Sequence, residues 1–142
     1  MTEITFYTHA DDPLDVARRI AAKAYGQGRQ VMIYAPDTAV ADAIDRLLWT
    51  TPTLGFVPHC RDDDALAGET PVLIGTRVDA VRSADVMINL DAGQPPGFAR
   101  FERLVEIVGA DDAAVEPGRA RYRFYKARGY ALTTHDLRQQ AG

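Results

Sequence analysis

Gln30-Val31-Met32-Ile33-Tyr34-Ala35, followed at once by Pro36-Asp37-Thr38, decides the fold. The run is apolar without alternation, the pattern of a strand buried on both faces, as in a parallel sheet. Pro-Asp-Thr then opens a helix that places Val40, Ile44, Leu47 and Leu48 on one face and ends near Trp49, before Thr50-Thr51-Pro52. Upstream, Ile4-Thr5-Phe6-Tyr7-Thr8 is β-branched and aromatic and predicts a strand. Asp11-Asp12-Pro13 caps a second helix with Leu14, Ala17, Ile20, Ala21 and Ala24 at helical spacing, and Gly26 stops it.

Downstream, Thr53 to Glu69 is irregular. Pro71 to Ile74 and Asp85 to Leu90 predict two more buried strands, and Phe98 to Leu104 a helix. Val105 to Val108 either extends that helix or forms a strand, since periodicity does not arbitrate over four residues. A last helix covers Ala113 to Arg128, Gly129 turns the chain into Tyr130-Ala131-Leu132, and residues 139–142 are a frayed end. The expected fold class is α/β, a mostly parallel sheet with helices on both faces in a Rossmann-like, three-layer arrangement. At 142 residues, a single domain spanning 1–142 is expected.

The composition, 46% hydrophobic and 25% charged, excludes collagen, coiled coil and wholesale disorder. Cys60 has no partner for a bridge, which fits a reducing compartment. Met1-Thr2-Glu3-Ile4 has neither the basic start nor the apolar core of a signal peptide, and no apolar run approaches the roughly 20 residues of a membrane span. A cytoplasmic protein with no membrane association is therefore expected. The net charge of −4 argues for little direct, charge-driven DNA binding. Charge is nevertheless uneven: Asp62-Asp63-Asp64 and Asp111-Asp112 are acidic, whereas Arg119, Arg121, Arg123, Lys126 and Arg128 follow one another with no acid between them.

Candidate chemistry is thin. Gly26-Gln27-Gly28 lies after a helix and before a strand, the wrong order for cradling a phosphate. His59, Cys60 and Asp62-Asp63-Asp64 lack ligand spacing for a zinc-type centre, so no metal and no cofactor are expected. Ser83 stands in a polar turn without a nucleophile elbow. His9 ends a strand at the usual ligand edge of an α/β sheet, so a small nucleotide- or phosphate-binding enzyme with a site near His9 and Asp11 is the alternative to a binding protein. No set of residues assembles into a catalytic site, and no intrinsic catalysis is expected.

Two segments have the makings of binding surfaces. Leu47-Leu48-Trp49 and Phe56-Val57-Pro58-His59 combine aromatics, aliphatics and proline around an irregular stretch, the composition of a protein–protein anchor or of a loop covering the core. On the last helix, Arg119, Tyr122, Arg123 and Lys126 share one face, which is either a solvated basic face or a site for a carboxylate-rich peptide. Arg121, Phe124, Tyr125 and Arg128 fall on the other faces, so at least one aromatic packs inward.

Taken in order, Ile4-Thr5-Phe6-Tyr7, Leu48-Trp49 to His59, Pro71-Val72-Leu73-Ile74, Asp85 to Leu90 and Arg119-x-Arg-Tyr-x-x-Tyr-Lys-x-x-Gly-Tyr resemble the chi subunit of bacterial DNA polymerase III holoenzyme. The resemblance implies a non-catalytic adaptor of the DNA replication machinery, part of the clamp-loader assembly. It implies two partners: the psi subunit, and the acidic, phenylalanine-ending C-terminal tail of single-stranded-DNA-binding protein. Carried over residue by residue, it assigns Val108, Arg119, Tyr122, Arg123, Lys126 and Gly129 to the tail. It assigns Trp49, Pro52, Phe56, Val57, Pro58 and His59 to psi; a helicase-type protein at the same patch is the alternative partner. There are departures. Val115-Glu116 stands where family members can carry a further lysine. Pro117-Gly118 interrupts the helix, leaving open a start at Arg119 whose free N–H groups would themselves bind a carboxylate.

Overall fold

A computed structural model describes residues 1–50 and 56–140. Seven strands run β1 (Glu3–Ala10), β2 (Val31–Tyr34), β3 (His59–Arg61), β4 (Val72–Gly75), β5 (Val86–Asn89), β6 (Arg103–Gly109) and β7 (Leu132–Asp136). They form one sheet in the order β3-β4-β2-β5-β6-β1-β7, and every pairing is parallel. The helices are α1 (Pro13–Gly26), α2 (Thr38–Thr50) and α3 (Asp112–Ala127).

Strand alternation sorts the core into two faces. Val31, Ile33, Val72, Ile74, Val86, Ile88, Val105 and Ile107 pack with Val16, Ala17 and Ala21 of α1 and Ala41, Ile44 and Leu48 of α2. Ile4, Phe6, Met32, Leu73, Met87, Leu104 and Val108 point the other way, toward Tyr125 of α3 and Phe101. The result is the three-layer α/β architecture expected, with β2 wholly buried.

The helix starts follow local chemistry. Asp12 caps α1 by accepting from the Asp15 N–H, with Pro13 in the first turn, and Asp111 does the same for α3 through the Ala114 N–H.

Three local expectations need correction. Phe98–Arg100 makes only a short 3-10 turn, and Leu104 belongs to β6, not to a helix. Arg103 and Leu104 pair with β5 on one side and β1 on the other, and this two-sided pairing overrides the helical preference of the segment. Val105 to Val108 is strand. The stretch from Thr53 to Glu69 is not wholly irregular either, since His59–Arg61 adds an edge strand. Lastly, α3 passes through Pro117 and Gly118 without a break, so it does not begin at Arg119, and its free N–H groups lie at Asp112. Pro117 lies inside the helix, where it lacks the N–H that would have bonded the Ala113 carbonyl and sets its ring against that carbonyl.

One polar cluster crosses the sheet into α3. Glu106, opposite Asn89 in the sheet, is fully buried. Its carboxylate accepts from Arg121 Nε at 2.9 Å, Asn89 Nδ2 at 3.0 Å and the Tyr125 hydroxyl at 2.5 Å. Arg121 Nη1 donates to the Ala92 carbonyl at 2.8 Å, and Asn89 to the Gly93 carbonyl at 2.9 Å, which ties down the loop after β5. Burial, only partly offset by Arg121, pushes Glu106 up to about 6. Burial and the neighbouring Glu106 both push the Tyr125 hydroxyl up, so it remains a donor.

Removing one partner leaves a buried charge without compensation. Arg121→Leu is expected to cost about 3–5 kcal/mol in urea unfolding, and Arg121→Leu with Glu106→Leu to recover most of it. Because the folded state binds the Glu106 proton more tightly than the unfolded chain does, its contribution to stability falls as pH rises from about 4.5 to about 6.

Candidate binding cleft

Between α3 and the C-terminal ends of β1, β6 and β7 lies a cleft of about 250 Å³. Its apolar walls are Phe6, Val108, Val115 and Tyr122, and its polar groups come from Thr8, His9, Thr134 and Arg119. Gly118 sets how closely the helix approaches the sheet: a Cβ there would stand 2.8 Å from Val108 Cγ2. Tyr122 stands edge-on to Phe6, ring centres 5.3 Å apart, and Phe6 is in turn packed near Tyr125. The floor is thus rigid.

The basic rim is exposed. Arg119, Arg123 and Lys126 all face solvent on α3. Arg123 already holds Glu116 at 2.9 Å, and that arginine keeps the Glu116 carboxyl below the ordinary range. Both partners are exposed, and a pair of this kind contributes little to stability. Gly129, at φ +80°, closes the helix: its N–H bonds the Lys126 carbonyl and that of Tyr130 bonds the Tyr125 carbonyl. This is the left-handed glycine stop of a Schellman turn. Gly129 therefore fixes where α3 ends and does not line the cleft. Arg121, in the middle of the basic run, is turned inward onto Glu106.

Sequence reasoning placed Val108, Arg119 and Tyr122 here and missed Phe6, Thr8, His9, Val115, Gly118 and Thr134. Gly118 was the available signal, because a glycine in mid-helix needs a close neighbour to justify its conformational cost. The strand residues carried no such mark, since the pairing of β7 beside β1 is invisible in one sequence.

At the opposite edge, Trp49 and Phe56 are 60% and 45% exposed and lie against each other, ring centres 5.0 Å apart. Both rest on His59, at 5.1 and 5.5 Å. His59 itself is buried: Nδ1 is 2.7 Å from the Val57 carbonyl, and Nε2 is 3.2 Å from Asp45 but out of line for a hydrogen bond. Val57 belongs to the core and Pro58 is half-buried, so only the two aromatics project. Pro52 lies outside the described residues.

The remaining chemistry is accounted for locally. Ser83 donates to Asp85, whose other oxygen accepts the Gln30 N–H. Asp62 accepts the N–H groups of Thr76 and Arg77 and so seals the exit of β4. Among the described residues, no three histidine, cysteine or acidic side chains converge as metal ligands, and no helix is long and apolar enough to cross a membrane.

A parallel α/β sheet with a small apolar cleft under a cationic rim, and a pair of exposed rings at its far edge, has the surface features of a protein-binding domain. Residues 1–133 match the family model described as DNA polymerase III chi subunit, HolC. The chain is 35% identical to the DNA polymerase III subunit chi of Pseudomonas aeruginosa, over 96% of this chain and 98% of that one. It is 30% identical to the subunits of the same name from Haemophilus influenzae (87% and 86% covered) and Escherichia coli (81% and 79%). The chain belongs to the DNA polymerase III chi subunit family. As a member it is a non-catalytic adaptor in DNA replication, which sets aside the enzyme reading at His9 and Asp11.

Since Gly118 has no room for a methyl group, Gly118→Ala is expected to push α3 off Val108. The overpacking costs about 1–3 kcal/mol, against about 1 kcal/mol recovered from helix propensity. Urea midpoints check the net loss, and a peptide titration checks the widened cleft.

Proposed function

We propose that this chain bridges two partners of the replication machinery, using the cleft beside α3 for one and the Trp49–Phe56 pair for the other. The first partner is the acidic, phenylalanine-ending tail of single-stranded-DNA-binding protein. The observation that carries this reading is the juxtaposition of a ring-sized apolar cleft with three exposed cations. An apolar cavity of about 150 Å³ accepts benzene, so about 250 Å³ has room for a phenyl ring with its backbone carboxylate. Arg119, Arg123 and Lys126 then meet the tail's acids, while Val108 and Tyr122 hold the ring. The psi subunit of the clamp loader is the proposed partner of Trp49 and Phe56, with Pro58 beside them; a helicase-type protein at the same patch is the competing occupant. Residues 1–142 act as one domain, in the cytoplasm, with little direct contact to DNA.

Titration with a labelled tail peptide tests the first half. Exposed charge pairs contribute about 0.2–1 kcal/mol each, so micromolar affinity is expected, weakened by salt. Arg119→Ala should weaken binding by up to about fivefold, and deleting the terminal phenylalanine should weaken it further. Equal affinity with and without that residue would leave α3 a merely solvated basic face.

Phe56→Glu tests the second half. Because the ring is exposed, the thermal transition should stay within about 0.5 kcal/mol of wild type while capture of psi is lost. Retained capture would remove the aromatic pair from the interface.

A further inference from the structure

The three helices are not held to the sheet in the same way. Helix α1 buries Val16, Ala17, Ala21 and Ala24, and α2 buries Ala41, Ile44 and Leu48. The buried residues of α3 are Gly118, Arg121 and Tyr125, three and four apart on one stripe. Gly118 has no side chain. The other two both end on the Glu106 carboxylate, Arg121 Nε at 2.9 Å and the Tyr125 hydroxyl at 2.5 Å. Among the described residues, α3 contributes no fully buried aliphatic side chain.

The first half of α3 also has open space on either side. Toward β7 lies the cleft of about 250 Å³, bordered on the helix by Val115, Gly118 and Tyr122. Toward β5 and the start of α1 lies a second hollow of about 270 Å³, bordered by Leu14, Leu90, Ala113 and Pro117. Val108 lines both, and Arg121 borders the second. Apolar contact is non-directional, so by itself it does not choose between a helix that leans toward one hollow and one that leans toward the other. The bonds of Arg121 are directional. Nε holds Glu106 on the sheet and Nη1 holds the Ala92 carbonyl in the loop after β5, which only one placement of α3 satisfies.

We propose that Glu106 and Arg121 are the positioning residues of the cleft, a pair kept for the placement of α3 and not for stability. The inference rests on the tail-binding reading above and adds to it two residues that touch no ligand. Well-packed apolar residues often replace a buried ion pair with no loss of stability, and fixing register is the best-attested use of such a pair. Here the register is expressed one turn away, where Gly118 rests on Val108 and sets the width of the cleft.

Two variants of the intact chain separate placement from stability. Glu106→Leu with Arg121→Leu removes both charges and keeps the interior apolar. Glu106→Gln keeps an acceptor at the same reach but leaves Arg121 buried without a counter-charge. Three quantities are measured: the urea midpoint, the affinity for an acidic peptide ending in phenylalanine, and, in the free protein, the nuclear Overhauser contact between the Gly118 Hα and the Val108 methyls. The double variant should keep a midpoint near wild type, bind the peptide about tenfold more weakly and lose most of the Overhauser contact. Glu106→Gln should show the reverse, a lower midpoint with the contact kept and affinity within about twofold of wild type.

A double variant that binds as wild type does, or keeps the Overhauser contact, overturns the assignment. So does a Glu106→Gln variant as weak as the double one, because an acceptor in place would then not hold the helix. If wild type binds no peptide, or Arg119→Ala binds as wild type does, the tail-binding reading falls, and the Overhauser contact still decides whether the pair places α3. Loss of affinity in Arg119→Ala beside full affinity in the double variant removes only the positioning role.

Discussion

The buried carboxylate of Glu106 is the point on which the arrangement of this molecule turns. A charge in the middle of a parallel sheet is tolerated only if every lone pair is answered. Here the answers come from three places at once: Asn89 on the neighbouring strand, and Arg121 and Tyr125 on α3. Those bonds fix the rotation of α3 about its own axis. With Arg121 and Tyr125 turned to the sheet, Arg119, Arg123 and Lys126 are left facing water and Tyr122 covers Phe6. The basic face exists because one arginine of the run is spent inside.

The same network sets the depth of the cleft. Arg121 lies one helical turn from Gly118, so anchoring the one brings the other down onto Val108. A hydrophobic contact alone would let α3 slide along the sheet by a side chain or rotate by a residue. A hydrogen-bonded pair at fixed distance does not. The cleft is bounded on its far side by a different constraint, the bulge at Thr8 and His9, where β1 must satisfy β6 and β7 in two registers.

The central sheet was legible because strands buried on both faces read as unbroken apolar runs, and β2, β4 and β5 do so. The edges were not. His59–Arg61 and Leu132–Asp136 are short and mixed in polarity, and they become strands only through pairing with β4 and β1. Phe98 to Leu104 misled for the related reason that pairing outweighs local propensity. On α3, helical periodicity located the basic face and required an inward aromatic, which is Tyr125. It did not foresee Arg121 inside, although Glu106 in the run Val105-Glu106-Ile107-Val108 was a mark in plain view. A carboxylate amid the three apolar residues of that run needs a cation, and the next helix carries a run of them.

The order of strands bears on what an adaptor must do. The Trp49–Phe56 pair sits over β3 and the cleft beside β7, the two edges of a seven-stranded sheet. Six inter-strand spacings of about 4.8 Å separate those edges by about 29 Å. That separation leaves room for the two partners proposed above, and at moderate salt charges are screened from one another over such a distance, which is several Debye lengths. Between them lies close-packed parallel sheet, stiff enough to hold its two edges a fixed distance apart. For the two partners proposed above, that geometry suits simultaneous attachment.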